Sequence, residues 1–282
     1  MQKRTRVSIY SIWRVIYPMI LYMLLQSMIM AVGMMALSLF LPELAQNAGS
    51  SVENWSDTAV SFLLLSSALS VILFGFLYRA DCEERLEYRE MRTPRRLDGN
   101  SILWISVASI AFSMVGNNLI DISPLPELSG SYEETSAMLM SGSLILQLLC
   151  VGILAPIVEE ILMRGIIFGR LRDMMRPAWA IFWGGLLFGI FHGNVVQGVY
   201  ASFFGWFLCW LMERFGTIKA TCLSHMVSNM AVTLIVSTSL YNQIFENDIV
   251  FWIVTAAAAA VFALSIFRLA THKEVDYQQT LE

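Results

Sequence analysis

The sequence predicts an all-α protein: a polytopic transmembrane helical bundle of about eight spans, with both termini cytoplasmic. Three observations predict it. Of its 282 residues, 57% are hydrophobic and only 14% charged, whereas soluble domains carry roughly 25% charged residues. The chain divides into uncharged apolar runs, and about 20 such residues suffice to cross the hydrocarbon as a helix. When those runs are laid alternately across a bilayer, the basic residues all fall on one side, as the positive-inside rule requires.

The first run, Val15–Leu41, follows a basic N-terminus (Lys3, Arg4, Arg6). It is too long for the apolar region of a signal peptide and ends without a clear small-residue cleavage site, so it reads as the first span. Thr58–Tyr78 is the second. The connector Arg79–Asp98 mixes arginines with Asp81, Glu83, Glu84, Glu87 and Glu90, and reads as a solvated, partly helical loop without chemistry. Ser101–Ile120 is the third span. Asp121–Glu134, with Pro124, Pro126 and Gly130, is expected to be irregular. Thr135–Val158 is the fourth span, and the apolar residues Gly165–Phe168 beyond it allow the helix to run on to Arg170. Pro177–Met212 exceeds one span and predicts two short helices joined by a buried turn near Gly193–Gly198. Ala220–Phe245 and Ile249–Phe267 complete the set, and the tail from Thr271 is expected to fray.

With the N-terminus inside, all 18 Lys and Arg residues lie inside, counting Arg14 and Arg164 near inner span ends. The outer connections hold only acids such as Glu43, Asp57, Asp121, Glu133, Glu134 and Asp248. The net charge of −4 is uninformative, because its distribution matters more than its sum, but the lack of a basic domain or recognition motif argues against nucleic acid as a partner. Cys82, Cys150, Cys209 and Cys222 have no CxxC spacing, so neither a disulfide nor a cysteine metal site is expected.

The polar residues inside these runs carry the functional signal, because an ionisable group at bilayer depth is costly and is rarely kept without a partner and a task. Glu159 and Glu160 follow Pro156. Glu160 and Arg164 are four apart and share a helix face, so they form either an interior ion pair that pins helices or part of a site. Glu159 points about 100° away; with the arginine claimed by Glu160, it is free to hold a water or a proton. Pro156 cannot donate a backbone hydrogen bond, and the expected kink opens carbonyls and admits water beside Glu159. His192 ends the fifth span. Asn194 reads as a turn residue. His225 and Asn229 share a face of the seventh span, where they serve either as interhelical glue or as donors to an anionic oxygen.

At these residues the chain resembles the CPBP family of CAAX proteases and bacteriocin-processing enzymes. The family's EExxxR motif corresponds to Glu159-Glu160-Ile161-Leu162-Met163-Arg164, its FxxxH to Phe188 through His192, and its HxxxN to His225 through Asn229. The glycine-containing stretch Gly205–Ile218 resembles the link between the second and third motifs, and the likeness covers roughly Gly142–Ile235. The resemblance implies an intramembrane endopeptidase in the cell membrane, with Glu159 as general base activating water, His192 assisting, His225 and Asn229 stabilising the oxyanion, and Glu160 and Arg164 supporting the geometry. It divides the chain into residues 1–135 with the first three spans, a catalytic core at 136–245, and residues 246–282 with the last span and tail.

The implied partners are the lipid bilayer and a peptide or lipidated-protein substrate reached from the membrane or the cytoplasm. No cofactor is expected. Two histidines and a carboxylate also make a zinc set with an open water position; Asn229, a poor zinc ligand, favours the metal-free version. The competing classes are a non-catalytic bacteriocin-immunity or scaffold protein, which the intact motifs disfavour, and an ion- or proton-coupled carrier, which the missing inverted repeat disfavours.

Overall fold

The computed structural model describes residues 8–87, 94–130, 136, 139, 141–238 and 247–271. Among them the chain is all-helical, with seven helices long and apolar enough to cross a membrane and one shorter apolar helix. The expectations that concerned Lys3, Arg4, Arg6, Glu90, Arg89, Arg92, Glu133, Glu134, residues 239–245 and the tail beyond Thr271 lie outside the described residues.

Helix α1 (Ile9–Phe40) is capped by Ser8, whose hydroxyl accepts from the Ser11 amide at 3.1 Å. A short α2 (Pro42–Ala48) begins on a proline, which has no amide hydrogen to leave unsatisfied at that position. Helix α3 (Val52–Glu87) overruns its apolar core at both ends, with Glu53 in the first turn and Arg85 in the last, the signs that favour a helix dipole.

That overrun corrects the expectation of a solvated connector. Asp81 is 4% exposed and accepts from Arg170 Nε and Nη2 at 2.7 and 2.9 Å. Arg170 also donates to the Arg14 carbonyl and to Tyr17 Oη, while Arg85 pairs with Asp173 at 3.3 Å. The reason is packing: α1, α3 and the fourth span, Leu144–Met174, converge here, and a buried guanidinium requires a carboxylate beside it.

Helix α4 (Gly99–Asp121) is capped by Asp98. Its buried Ser109 and Ser113 meet Ser224 and Ser228 of a later helix, and Asn118 donates to Thr255 at 2.7 Å. Small hydroxyl residues let helices approach closely and replace the hydrogen bonds that lipid cannot supply.

The fourth span is one helical rod, Leu144–Met174, here α5. It starts later than the sequence suggested and runs through Arg170 as anticipated. Two π-helical stretches, Leu148–Leu154 and Ile161–Phe168, bracket the α-helical Ala155–Glu160. Such bulges are uncommon and concentrate at functional sites.

The run Pro177–Met212 forms one short and one full helix rather than two short ones. Helix α6 (Pro177–Phe191) has 15 residues, about 22 Å at 1.5 Å per residue, short of the roughly 30 Å hydrocarbon. Helix α7 (Val195–Phe215) has 21; it continues through Glu213 because Arg172 neutralises that residue at 2.8 Å. The turn between them uses Gly193 at φ 74°, and Asn194 caps α7 by accepting from the Gln197 amide. The hairpin is tight: a Cβ on Gly205 would lie 2.7 Å from Gly185 Cα. Helices α8 (Ile218–Ser237) and α9 (Asp248–Thr271) complete the bundle. The core, including Phe74, Ile105, Leu162, Ile166, Phe188 and Leu208, surrounds the middle of α5.

Candidate active site

Residues from α5, α6, α7 and α8 meet around a cavity of about 530 Å³. Glu159, His192, His225 and Asn229 line it, whereas Glu160 and Arg164 stand behind it, each fully buried. All six candidates therefore belong to one neighbourhood, in two layers.

The inner layer begins with the pair expected from the i, i+4 spacing. Arg164 Nη1 donates to Glu160 Oε1 at 2.8 Å, and Nη2 reaches the Gly205 carbonyl at 3.5 Å. The guanidinium also lies over the Phe188 ring, 4.2 Å from its centroid, a favourable cation–π contact where water is absent. The close α6–α7 approach at Gly185 and Gly205 brings that carbonyl and that ring to one arginine.

The same Glu160 Oε1 faces His225 Nδ1 at 2.8 Å. A carboxylate oxygen accepts, so Nδ1 carries the hydrogen and Nε2 is turned the other way, to 3.8 Å from Glu159 Oε2. Glu160 thus sets the ring orientation and holds a hydrogen on Nδ1, which leaves Nε2 on the far side of the ring. The rings of Phe188 and Phe204 stand nearly perpendicular to it, with centroids 5.7 and 5.3 Å away. His192 is fixed in the same manner by the chain itself: Nδ1 donates to the Phe188 carbonyl at 2.8 Å, leaving Nε2 for the cavity. In both histidines Nδ1 is taken up by a neighbour and Nε2 is the nitrogen left over.

Asn229 departs from expectation in one respect. Its Nδ2 donates to the Val151 carbonyl at 2.9 Å, so one of its two amide hydrogens ties α8 to α5. The cause lies in Pro156. In the preceding π turn the Ala155 amide bonds back five residues, to the Cys150 carbonyl. The next amide in that register would bond Val151, and proline has none. Asn229 fills the gap. Pro156 does open a carbonyl, as anticipated, and the Asn229 side chain takes it.

Among the described residues, no group of three or more His, Cys, Asp or Glu side chains is arranged to hold a metal ion, and all four cysteines are free. Several cavity-lining residues carried no role in the sequence reading: Tyr22, Gln26 and Ser27 of α1, Asn117 of α4, and Gln197 and Tyr200 of α7. Two signals point to them. Gln26-Ser27 interrupts an otherwise apolar run, and Asn194-x-x-Gln197 has the spacing of a helix cap pair.

Taken together, these features define an integral, multi-pass membrane protein in which ionisable side chains from several helices surround an internal cavity. Residues 141–231 match the family model described as Rce1-like, type II CAAX prenyl endopeptidase Rce1-like. The match supports assignment to the CPBP/CAAX protease family, and in general a CAAX-type intramembrane endopeptidase acting on a protein substrate in the membrane. No curated protein and no solved structure matches the chain.

Proposed function

We propose that this protein hydrolyses a peptide bond with a water activated by Glu159. The observation that carries the reading is the division of the six motif residues: four line the cavity, and the other two fix one of those four from behind.

In the proposed cycle Glu159 takes a proton from a water in the cavity, with Nε2 of His192 assisting, and the hydroxide attacks the scissile carbonyl. The resulting oxyanion accepts from His225 Nε2 and from the second amide hydrogen of Asn229. For His225 to donate from both nitrogens it must be the imidazolium, with Glu160 as counter-charge on Nδ1. Glu159 then passes its proton to the departing amine, which leaves as the carbonyl re-forms. Donors set in place before the charge develops are usually the largest electrostatic contribution to such a step. Low dielectric in the bundle strengthens it further. No metal enters this cycle. We place both termini on the cytoplasmic side, with the substrate reaching the cavity from the membrane or the cytoplasm.

The test is cleavage of a panel of farnesylated and geranylgeranylated CAAX peptides and unlipidated leader-type peptides by purified protein, with Glu159→Gln and a chelator in parallel. Loss of about 10²–10⁴-fold in the variant, with unchanged folding and no chelator effect, is expected. Wild-type rates in Glu159→Gln would overturn the glutamate mechanism. Activity lost to the chelator and restored by zinc would transfer His192, His225 and Glu159 to a metal site.

A further inference from the structure

We propose that Gln197 and Asn117 form a clamp for the substrate's backbone: Gln197 Nε2 donates to one of its carbonyls, and Asn117 Oδ1 accepts from one of its amides. This inference rests on the proteolytic reading above.

A side-chain amide can present either of its ends, and what its other end binds settles which. Asn194 Nδ2 donates to Gln197 Oε1 at 2.6 Å, while Asn194 Oδ1 accepts from the Gln197 backbone amide at 2.9 Å. The backbone amide fixes Oδ1 as the accepting end of Asn194, so its Nδ2 is the end that donates to Gln197 Oε1, and that bond leaves Nε2 as the outward group of Gln197. Asn117 is set in the opposite sense. Its Nδ2 donates to the Ser113 carbonyl at 2.8 Å, so Oδ1 is outward. Both residues line the cavity that holds Glu159 and His192. Neither outward atom makes a further hydrogen bond among the described residues.

Tyr200 brings the two amides to one wall. It lies one turn after Gln197, its hydroxyl is 3.5 Å from Ser113 Oγ, and its ring packs so closely on Gly116 that a Cβ there would come within 2.5 Å of it. Residues 113–117 of α4 and 197–200 of α7 therefore face each other. The wall thus offers one fixed donor and one fixed acceptor, the complement of a peptide chain, whose carbonyls and amides recur every 3.2–3.4 Å per residue when extended. In a low-dielectric cavity an unmatched amide is penalised, so the wall selects for a chain that presents both groups.

The experiment combines enzyme and substrate changes. Starting from a peptide that the wild-type protein cleaves, each backbone amide flanking the scissile bond is replaced in turn by an ester, which removes one N–H and leaves the side chains unchanged. These peptides are compared on wild type, Asn117→Leu and Gln197→Met, with detergent-phase melting as the folding control. At one position the ester is expected to raise KM about tenfold on wild type, the loss of one hydrogen bond, and to add nothing on Asn117→Leu. Gln197→Met is expected to raise KM for every peptide while kcat changes less. Should Gln197→Met fail to fold, the Asn117 and ester comparison decides alone. Equal ester penalties on wild type and Asn117→Leu at every position overturn the clamp and leave proteolysis standing. No wild-type cleavage of any panel peptide overturns the proteolytic reading, and the clamp with it.

Discussion

Replacing Arg164 by methionine tests the most heavily buried feature of the structure. The guanidinium and the Glu160 carboxylate are both fully buried and 2.8 Å apart. Removing one partner of a buried pair costs about 3–5 kcal/mol, because the remaining charge is stranded. Two structural details set where in that range the cost falls. Loss of the contact over Phe188 adds to it, by about 2 kcal/mol when desolvated. Glu160 keeps the His225 hydrogen bond with or without Arg164, so the carboxylate is not left wholly without a partner and the cost stays within that range. Arg164→Met is therefore expected to destabilise by about 3–5 kcal/mol, more than a hundredfold in the folding equilibrium at 1.36 kcal/mol per decade. Reversible unfolding in mixed micelles, followed by tryptophan fluorescence, measures it. Adding Glu160→Gln removes the stranded charge, so the double variant should be more stable than Arg164→Met alone, a non-additivity expected of residues in direct contact. A single-variant cost below about 1 kcal/mol, or simple additivity in the double variant, would refute the argument that the pair is a dry, mutually dependent unit.

Two further predictions concern how helices meet at the site. Asn229→Ala removes both the tie to Val151 and the proposed oxyanion donor; stability should fall by about 1–3 kcal/mol, since the Val151 carbonyl is left unpaired, and kcat by about 10²–10³-fold. Melting and single-turnover kinetics separate these, and an unchanged kcat would reduce Asn229 to an interhelical tie. Gly205→Ala puts a methyl 2.7 Å from Gly185 Cα, a distance real side chains do not tolerate, so α6 and α7 must part. The carbonyl that meets Arg164 and the Phe188–His192 turn move with them, and activity should fall although no polar group is lost. Wild-type activity in this variant would show that the hairpin spacing does not govern the site.

The extent to which the sequence foretold the molecule follows the range of the interactions involved. Apolar runs of span length and intramembrane charges are local in sequence, because the bilayer acts on each segment separately. All-helical architecture, the Glu160–Arg164 pair and the candidate set Glu159, His192, His225 and Asn229 were legible for that reason. Helix limits were less so. The bilayer dictates where hydrocarbon ends but not where a helix does, and α3 runs on to Asp81 and Arg85 because Arg170 and Asp173 await them on another helix.

Tertiary structure alone decided the rest. The π stretches of α5 contain the two glycines at which it packs closely on its neighbours: a Cβ at Gly165 would lie 2.9 Å from the Tyr78 ring, and one at Gly152 3.0 Å from Met230. The identity of the group that binds Val151 is equally invisible in one dimension, since 78 residues separate it from Asn229. The same holds for His225, whose ring is oriented through Nδ1 by a carboxylate 65 residues away. By itself the sequence determined which residues are too costly to place in lipid without a purpose. Only the packed bundle decided which of them would face a common cavity and which would stand behind it, because hydrogen bonds and close contacts select partners by position in space, whereas the bilayer selects residues one segment at a time.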